Sequence, residues 1–162
     1  MVASGGVSVG EEDHVKPAVE KLGSLDLWKI AIRPGKPLAF GHIDQTPFIG
    51  MPGNPVSLFV TFCLFARPFI LRTQGMVGTV SPLILQARAD FDWSKPVMRR
   101  EYARARITWN AADEPIATLY PTRSSAVLSS VAWANALVVI PEQQTFARGE
   151  LVNFITFSEL LS

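Results

Sequence analysis

The sequence holds one cysteine in 162 residues, two histidines and no surplus of charge, with 15 Lys and Arg against 14 Asp and Glu for a formal net charge of +1. Each scarcity excludes something. A lone thiol, Cys63, closes no internal disulfide and builds no cysteine-based zinc site, so the chain suits a reducing compartment. His14 and His42 are too isolated to suggest a metal centre. Balanced charge gives no drive toward nucleic acid or an anionic membrane, because such binding rests on clustered Lys and Arg neutralising many phosphates. The opening Met1-Val2-Ala3-Ser4-Gly5-Gly6 lacks the basic start and apolar stretch of a secretory signal. The apolar run from Val56 reaches about 11 residues before Arg67-Pro68 interposes a charge and a helix breaker, short of the ~20 a span needs. The expectation is a cytoplasmic chain with no nucleic-acid and no membrane partner.

What is present is an alternation of strand and helix signals. Met1-Val2-Ala3 is apolar and runs straight into glycine, as though it were the tail of a longer strand. Glu12 to Leu22 predicts a helix, with Val15, Val19 and Leu22 on one stripe and Gly23 as its stop. Leu25 to Ile32, Pro37 to Ile43 and Thr46 to Ile49 predict strands, and Val56 to Leu71 an apolar helix with Asn54 able to cap it and Pro55 at its first position. After Gly75 the pattern changes to strands alone: Leu83 to Phe91, Val97 to Trp109, Pro115 to Tyr120, Ala136 to Ile140 and Leu151 to Phe157. The fold class read from this order is α/β over residues 1–75, followed by a small all-β domain over 76–162, with charge divided evenly between the two.

Three loops in the first part carry chemical potential. Ser4-Gly5-Gly6-Val7-Ser8-Val9-Gly10 joins a strand end to a helix, an arrangement that lets backbone N–H groups approach an anion. Glu11, Glu12 and Asp13 follow it; they either complement the helix N-terminus or place a carboxylate where it could hold Mg²⁺ beside a bound phosphate. Lys29 and Arg33 are four apart, hence on one face of a regular strand, and lead into the turn Pro34-Gly35-Lys36-Pro37; they form either an oxyanion grip or a solvated face. Pro52-Gly53-Asn54-Pro55, then Val56-Ser57, is a stiff loop at a helix N-terminus. In the cluster Arg99, Arg100, Arg104 and Arg106, the last three alternate with Glu101, Ala103 and Ala105 and read as one face of a two-faced strand, solvated or at an interface, and Cys63 reads as inert core.

The segments SGGVSVGEEDHVK, WKIAIRPGKPLAFG and GMPGNPVS resemble, in this order, the molybdopterin molybdenumtransferases, the MoeA proteins and the E domains of gephyrin and its plant relative. RREYARARI, Ser124-Ser125, Ala134-Asn135, Pro141 and Gly149-Glu150 resemble their closing β-barrel more loosely. The resemblance implies an incomplete MogA/MoaB-like molybdopterin-binding α/β domain followed by a barrel like domain IV of MoeA. It implies an enzyme of molybdenum cofactor synthesis that inserts molybdate into adenylylated molybdopterin, with Mg²⁺ and release of AMP. It implies Asp13 as a catalytic and metal-holding acid, Lys29 and Arg33 as catalytic cations, and Ser4, Gly5, Gly6, Ser8, Lys36, Pro52, Gly53, Asn54, Pro55, Ser57 and Ser125 as substrate contacts. It further implies a homodimer in the full-length protein and a MogA-like adenylyltransferase as supplier of the substrate. The expected state of this chain is a C-terminal fragment with little turnover alone. Two other readings stand beside it: a molybdopterin-binding or scaffolding module without catalysis, and a generic phosphate-ligand α/β domain.

Overall fold

The computed structural model describes residues 1–6 and 14–162. In chain order these form β1 (Val2–Ser4), α1 (Val15–Leu22), β2 (Gly23–Lys29), β3 (Ile32–Arg33), β4 (Pro37–Ile43), β5 (Thr46–Met51), α2 (Pro55–Thr61), a π-turn (Phe62–Ala66) and α3 (Arg67–Thr73). There follow β6 (Leu85–Ala89), β7 (Arg100–Trp109), β8 (Pro115–Leu119), α4 (Ser129–Trp133), β9 (Ala136–Ile140), β10 (Leu151–Thr156) and α5 (Phe157–Leu161). The first sheet has the order β1-β5-β4-β2, with β1 parallel to β5 and the other pairs antiparallel. The second runs β7-β8-β6-β10-β9, and β9 pairs back onto β7, so five strands close into a barrel.

Glycine is required where β2 and β4 touch. A Cβ on Gly23 would overlap the His42 carbonyl and one on Gly41 the Ser24 carbonyl, so neither position accepts a side chain without moving the strands apart. Inside the barrel the demand is similar. Ala87, Ala89, Ala105, Ala117 and Ala136 are all buried in its core, around Trp93, Val138, Ile140, Val152 and Phe154, because a five-stranded barrel has little interior width.

The expected strand from Leu25 to Ile32 does not exist as one element. Its register slips twice between Leu25 and Lys29, and the Ile30 N–H then bonds the Lys36 carbonyl at 3.0 Å. Ile32–Arg33 leaves the first sheet and pairs with Arg100 and Glu101 of β7, parallel. Lys29 and Arg33 therefore lie in different sheets and share no strand face. The even-spacing argument presumed a regular strand, and the bulges break that regularity.

The long helix crosses Pro68, as the expected span from Val56 to Leu71 requires. The helical run continues from Pro55 to Thr73, 19 residues with mean hydropathy 1.5, long and apolar enough by length and composition to cross a membrane. Proline cannot donate to the carbonyl four residues back and crowds it. Here the turn before it widens so that the Arg67 N–H reaches the Phe62 carbonyl, which carries the helix past the proline. Val60 and Cys63 pack with Leu137, Val139, Ile155 and Leu160 of the barrel's outer side, while Ala66, Phe62 and Phe65 pack with Leu38, Ile49 and Met51 of the first sheet. The helix is thus the layer between the two sheets. In β9, Ala136, Val138 and Ile140 face into the barrel and Leu137 and Val139 face this helix, so an unbroken apolar run is buried on both sides.

Candidate functional site

The two glycine loops meet. β1 and β5 run in parallel and end side by side, Ser4 opposite Met51, and the Gly5 N–H donates to the Met51 carbonyl at 2.9 Å. Gly5 has φ +79°, and a Cβ built on Gly53 would lie 3.5 Å from the Gly5 Cα, so the backbones pass in contact. Ser4, Gly5, Gly6, Pro52, Gly53, Asn54 and Pro55 therefore share one end of the first sheet, the edge at which open α/β sheets hold ligands. Beside them lies a mostly apolar hollow of about 530 Å³ lined by Val2, Ser4, Met51, Pro55, Phe59 and Leu128 among others. Ser8 and Asp13, with Glu11 and Glu12, lie outside the described residues.

A second, polar cavity of about 340 Å³ opens where the Pro34–Pro37 turn meets the barrel. Arg33, Pro34, Gly35 and Lys36 form one wall, Ser57 the helix side, and Arg99, Arg123, Ser124 and Ser125 the barrel side. Gly35 has φ +113° and lies so close to α2 that a Cβ there would stand 2.5 Å from Thr61 Cγ2, which brings the Lys36 turn onto the helix. The Val56 N–H at the helix N-terminus donates to the Ser125 carbonyl at 3.1 Å, joining the barrel loop to the first part of the chain. Arg99 Nη1 donates to the Ile32 carbonyl at 3.3 Å from the other side. Four cationic side chains and three serines therefore face one space, and among the described residues no carboxylate lines it.

Beneath the barrel wall lies a buried charged layer. The Arg104 guanidinium donates from Nε to Ser130 Oγ at 3.0 Å and from Nη2 to the Thr122 and Ser124 carbonyls at 2.7 and 3.0 Å. Burial lowers its pKa, Glu101 and Tyr120 oppose the shift, and Arg123 and Arg33 add to it by repulsion. Glu101, also buried, accepts from both Nε and Nη2 of Arg123, the Nε contact at 2.8 Å. The Arg123 guanidinium sits over the Trp93 ring, 4.4 Å from its centroid.

Of the residues expected from sequence, the cavity brings together Arg33, Lys36, Ser57 and Ser125. Lys29 is not among its lining; it pairs with Pro37 across β2 and β4. Asn54 caps nothing with its side chain, since the Val56 N–H it would have served goes to Ser125. The arginine strand is not a solvated face throughout: Arg104 is buried and Arg99 lines the cavity, while Arg100 meets Glu142 and Arg106 lies over Trp133 on the outside. Arg99 and Arg123 were missed because alternation reports which face a residue takes, not what a neighbouring loop lays over that face. The signal for Arg123 was its place directly before Ser124-Ser125.

Comparison with known proteins bears on both halves. Residues 1–72 match the family described as a probable molybdopterin binding domain, and residues 86–157 match the MoeA C-terminal region (domain IV). The chain is similar to the molybdopterin molybdenumtransferase of Haemophilus influenzae, 36% identical over 162 residues, which is 99% of this chain and 40% of that protein. It is also similar to the molybdenum cofactor synthesis protein cinnamon of Drosophila melanogaster, 35% identical over 87% of this chain and 24% of the relative. Among solved structures, the molybdopterin biosynthesis MoeA protein of Pyrococcus horikoshii superposes with a TM-score of 0.71 at 30% identity, over 96% of this chain and 36% of that one. The chain spans well under half the length of each of these relatives.

Proposed function

Because the chain belongs to the molybdopterin molybdenumtransferase family by both of its domains, we propose that it supplies the oxyanion-handling face for inserting molybdate into adenylylated molybdopterin with release of AMP. One observation carries this reading: among the described residues the polar cavity is lined by Arg33, Lys36, Arg99 and Arg123 with Ser57, Ser124 and Ser125, and by no acid. Molybdate is a tetrahedral dianion whose oxygens only accept hydrogen bonds. It is matched by a wall of donors, in which guanidinium forks fix orientation and an ammonium adds a mobile point charge. The cations stabilise negative charge that shifts among the oxygens as the metal changes ligands, and they need no reorganisation to do so. The loops at Ser4–Gly6 and Pro52–Pro55, on the neighbouring edge of the sheet, suit a pterin phosphate through their backbone N–H groups. The apolar hollow beside Ser4 suits a flat ring.

The motif resemblance supports four further parts of this reading: a cytoplasmic location, a homodimeric full-length protein, a MogA-like adenylyltransferase that delivers the substrate, and Mg²⁺ held through Asp13. Among the described residues no three His, Cys, Asp or Glu side chains gather as metal ligands. The described residues do not make a metal site, and no step here passes through one.

Calorimetric titration with molybdate tests the reading. Saturable binding is expected for the wild-type chain, weakened about tenfold in Lys36→Ala and in Arg99→Ala, the loss typical of one charge-assisted contact. Absence of saturable binding by the wild type, or binding as tight as wild type in both variants, overturns it.

A further inference from the structure

The cavity's cations are not held alike. Arg33 and Lys36 are exposed, and among the described residues neither has an ion-pair partner. Arg123 is held by its backbone neighbours, by one ring face and along one edge of its guanidinium. Its backbone is bracketed by the Thr122 and Ser124 carbonyls, both bound by the buried Arg104. Its guanidinium lies on Trp93, and its Nε and Nη2 are taken by Glu101. The Arg123 side chain is 40% exposed and that of Glu101 only 2%, so the pair has one buried end and one end open toward the cavity. Glu101 is fixed in turn: its backbone lies between Ile140 of β9 on one edge and Arg33 of β3 on the other.

We propose that Glu101 is a positioning residue for the polar cavity: it grips the Nε/Nη2 edge of Arg123, so that the Nη1 edge is presented, already ordered, to a tetrahedral oxyanion. This rests on the reading of the cavity as an oxyanion site. The physical case is preorganisation. A free arginine loses side-chain freedom when it closes on an anion, whereas one clamped by a carboxylate and an aromatic face has lost it on folding. The carboxylate also places a negative charge near the site, which by Coulomb's law alone opposes anion binding. The two effects have opposite signs, so experiment separates them. If Glu101 positions Arg123, removing its charge weakens anion binding. If it is only a counter-charge, removing it strengthens binding.

The test uses the full chain with ¹⁵N-labelled arginine, reading the Arg123 Nε–H resonance during a titration with sodium molybdate. In the wild type that resonance is expected to be sharp and protected from solvent exchange before molybdate is added, and to shift on addition. Glu101→Gln keeps the shape and removes the charge; it is expected to lose the protection and to bind molybdate about tenfold more weakly. Arg123→Lys keeps the charge and loses the fork, and it gives a second measure should Glu101→Gln fold poorly. It is expected to weaken binding to a similar degree, where a pure charge effect would leave binding unchanged. Unchanged or tighter binding in Glu101→Gln, or unchanged binding in Arg123→Lys, overturns the proposal while the oxyanion reading stands. A wild-type titration that moves no cavity resonance overturns that reading instead, and the proposal with it.

Discussion

Cys63 shows how a residue's surroundings settle its chemistry. It is buried at the π-turn, and desolvation pushes its thiol up to about 11 against the partial opposition of Arg67. The reactive thiolate is then scarce until pH approaches that value. At pH 8 the native chain is expected to react with iodoacetamide at least tenfold more slowly than the urea-unfolded chain, about the ratio a shift of this direction implies. Equal rates, followed by mass spectrometry, would contradict the buried placement. Gly35 makes a second case at this scale. Its φ of +113° and the 2.5 Å approach of Thr61 to a would-be Cβ predict that Gly35→Ala costs about 1–3 kcal/mol in urea unfolding. It should weaken molybdate binding as well, because the Lys36 turn must move. Lys36, Ser57 and Ser125 were legible from their motifs. Arg123 and Arg99 were not, because what makes them part of the site is the lie of the 122–125 loop and of β3, which no local pattern encodes.

At the scale of elements, local signals were strong wherever one strand or helix met one environment. Pro37–Ile43 and Ala136–Ile140 form the strands their patterns predict, and the helix begins at Pro55 as its loop indicates. The failure lies where a tertiary demand overrode the pattern. The stretch after Lys29 reads as continued strand, yet Ile32–Arg33 is drawn off to extend β7. The helix expected from Val56 to Leu71, by contrast, does cross Arg67-Pro68, because a widened turn keeps it buried on both sides. The barrel carries a prediction of its own. Ala117 is fully buried among other alanines, so Ala117→Leu would force the strands apart, with an expected loss of about 1–3 kcal/mol measured by chemical denaturation. No loss of stability would mean that the interior is wider than described.

The whole molecule is joined by the long helix and by β3. Ile32, Val60 and Cys63 from the first part share one core with Leu137, Val139, Ile155 and Leu160 from the second. Two units with a common core unfold together. The chain is therefore expected to melt in one transition, with the Val19 methyls of α1, packed on the first sheet, and the Val138 methyls of the barrel losing native shifts at the same denaturant concentration. Leu137→Ala, which opens that shared core, should lower both midpoints together by about 2–5 kcal/mol in stability. Two separated transitions would show that the shared core does not couple the parts. The same joint creates the polar cavity, since one wall comes from the Pro34–Pro37 turn and the other from the barrel loop. The central claim is that this joint holds a tetrahedral oxyanion. Its most direct measurement is the anomalous difference map of crystals of this chain soaked in tungstate, a heavier analogue of molybdate. The account predicts the strongest peak between the Lys36 amino group, the Arg99 and Arg123 guanidinium groups and the Ser125 hydroxyl. Strong peaks elsewhere with none in that cavity would contradict it.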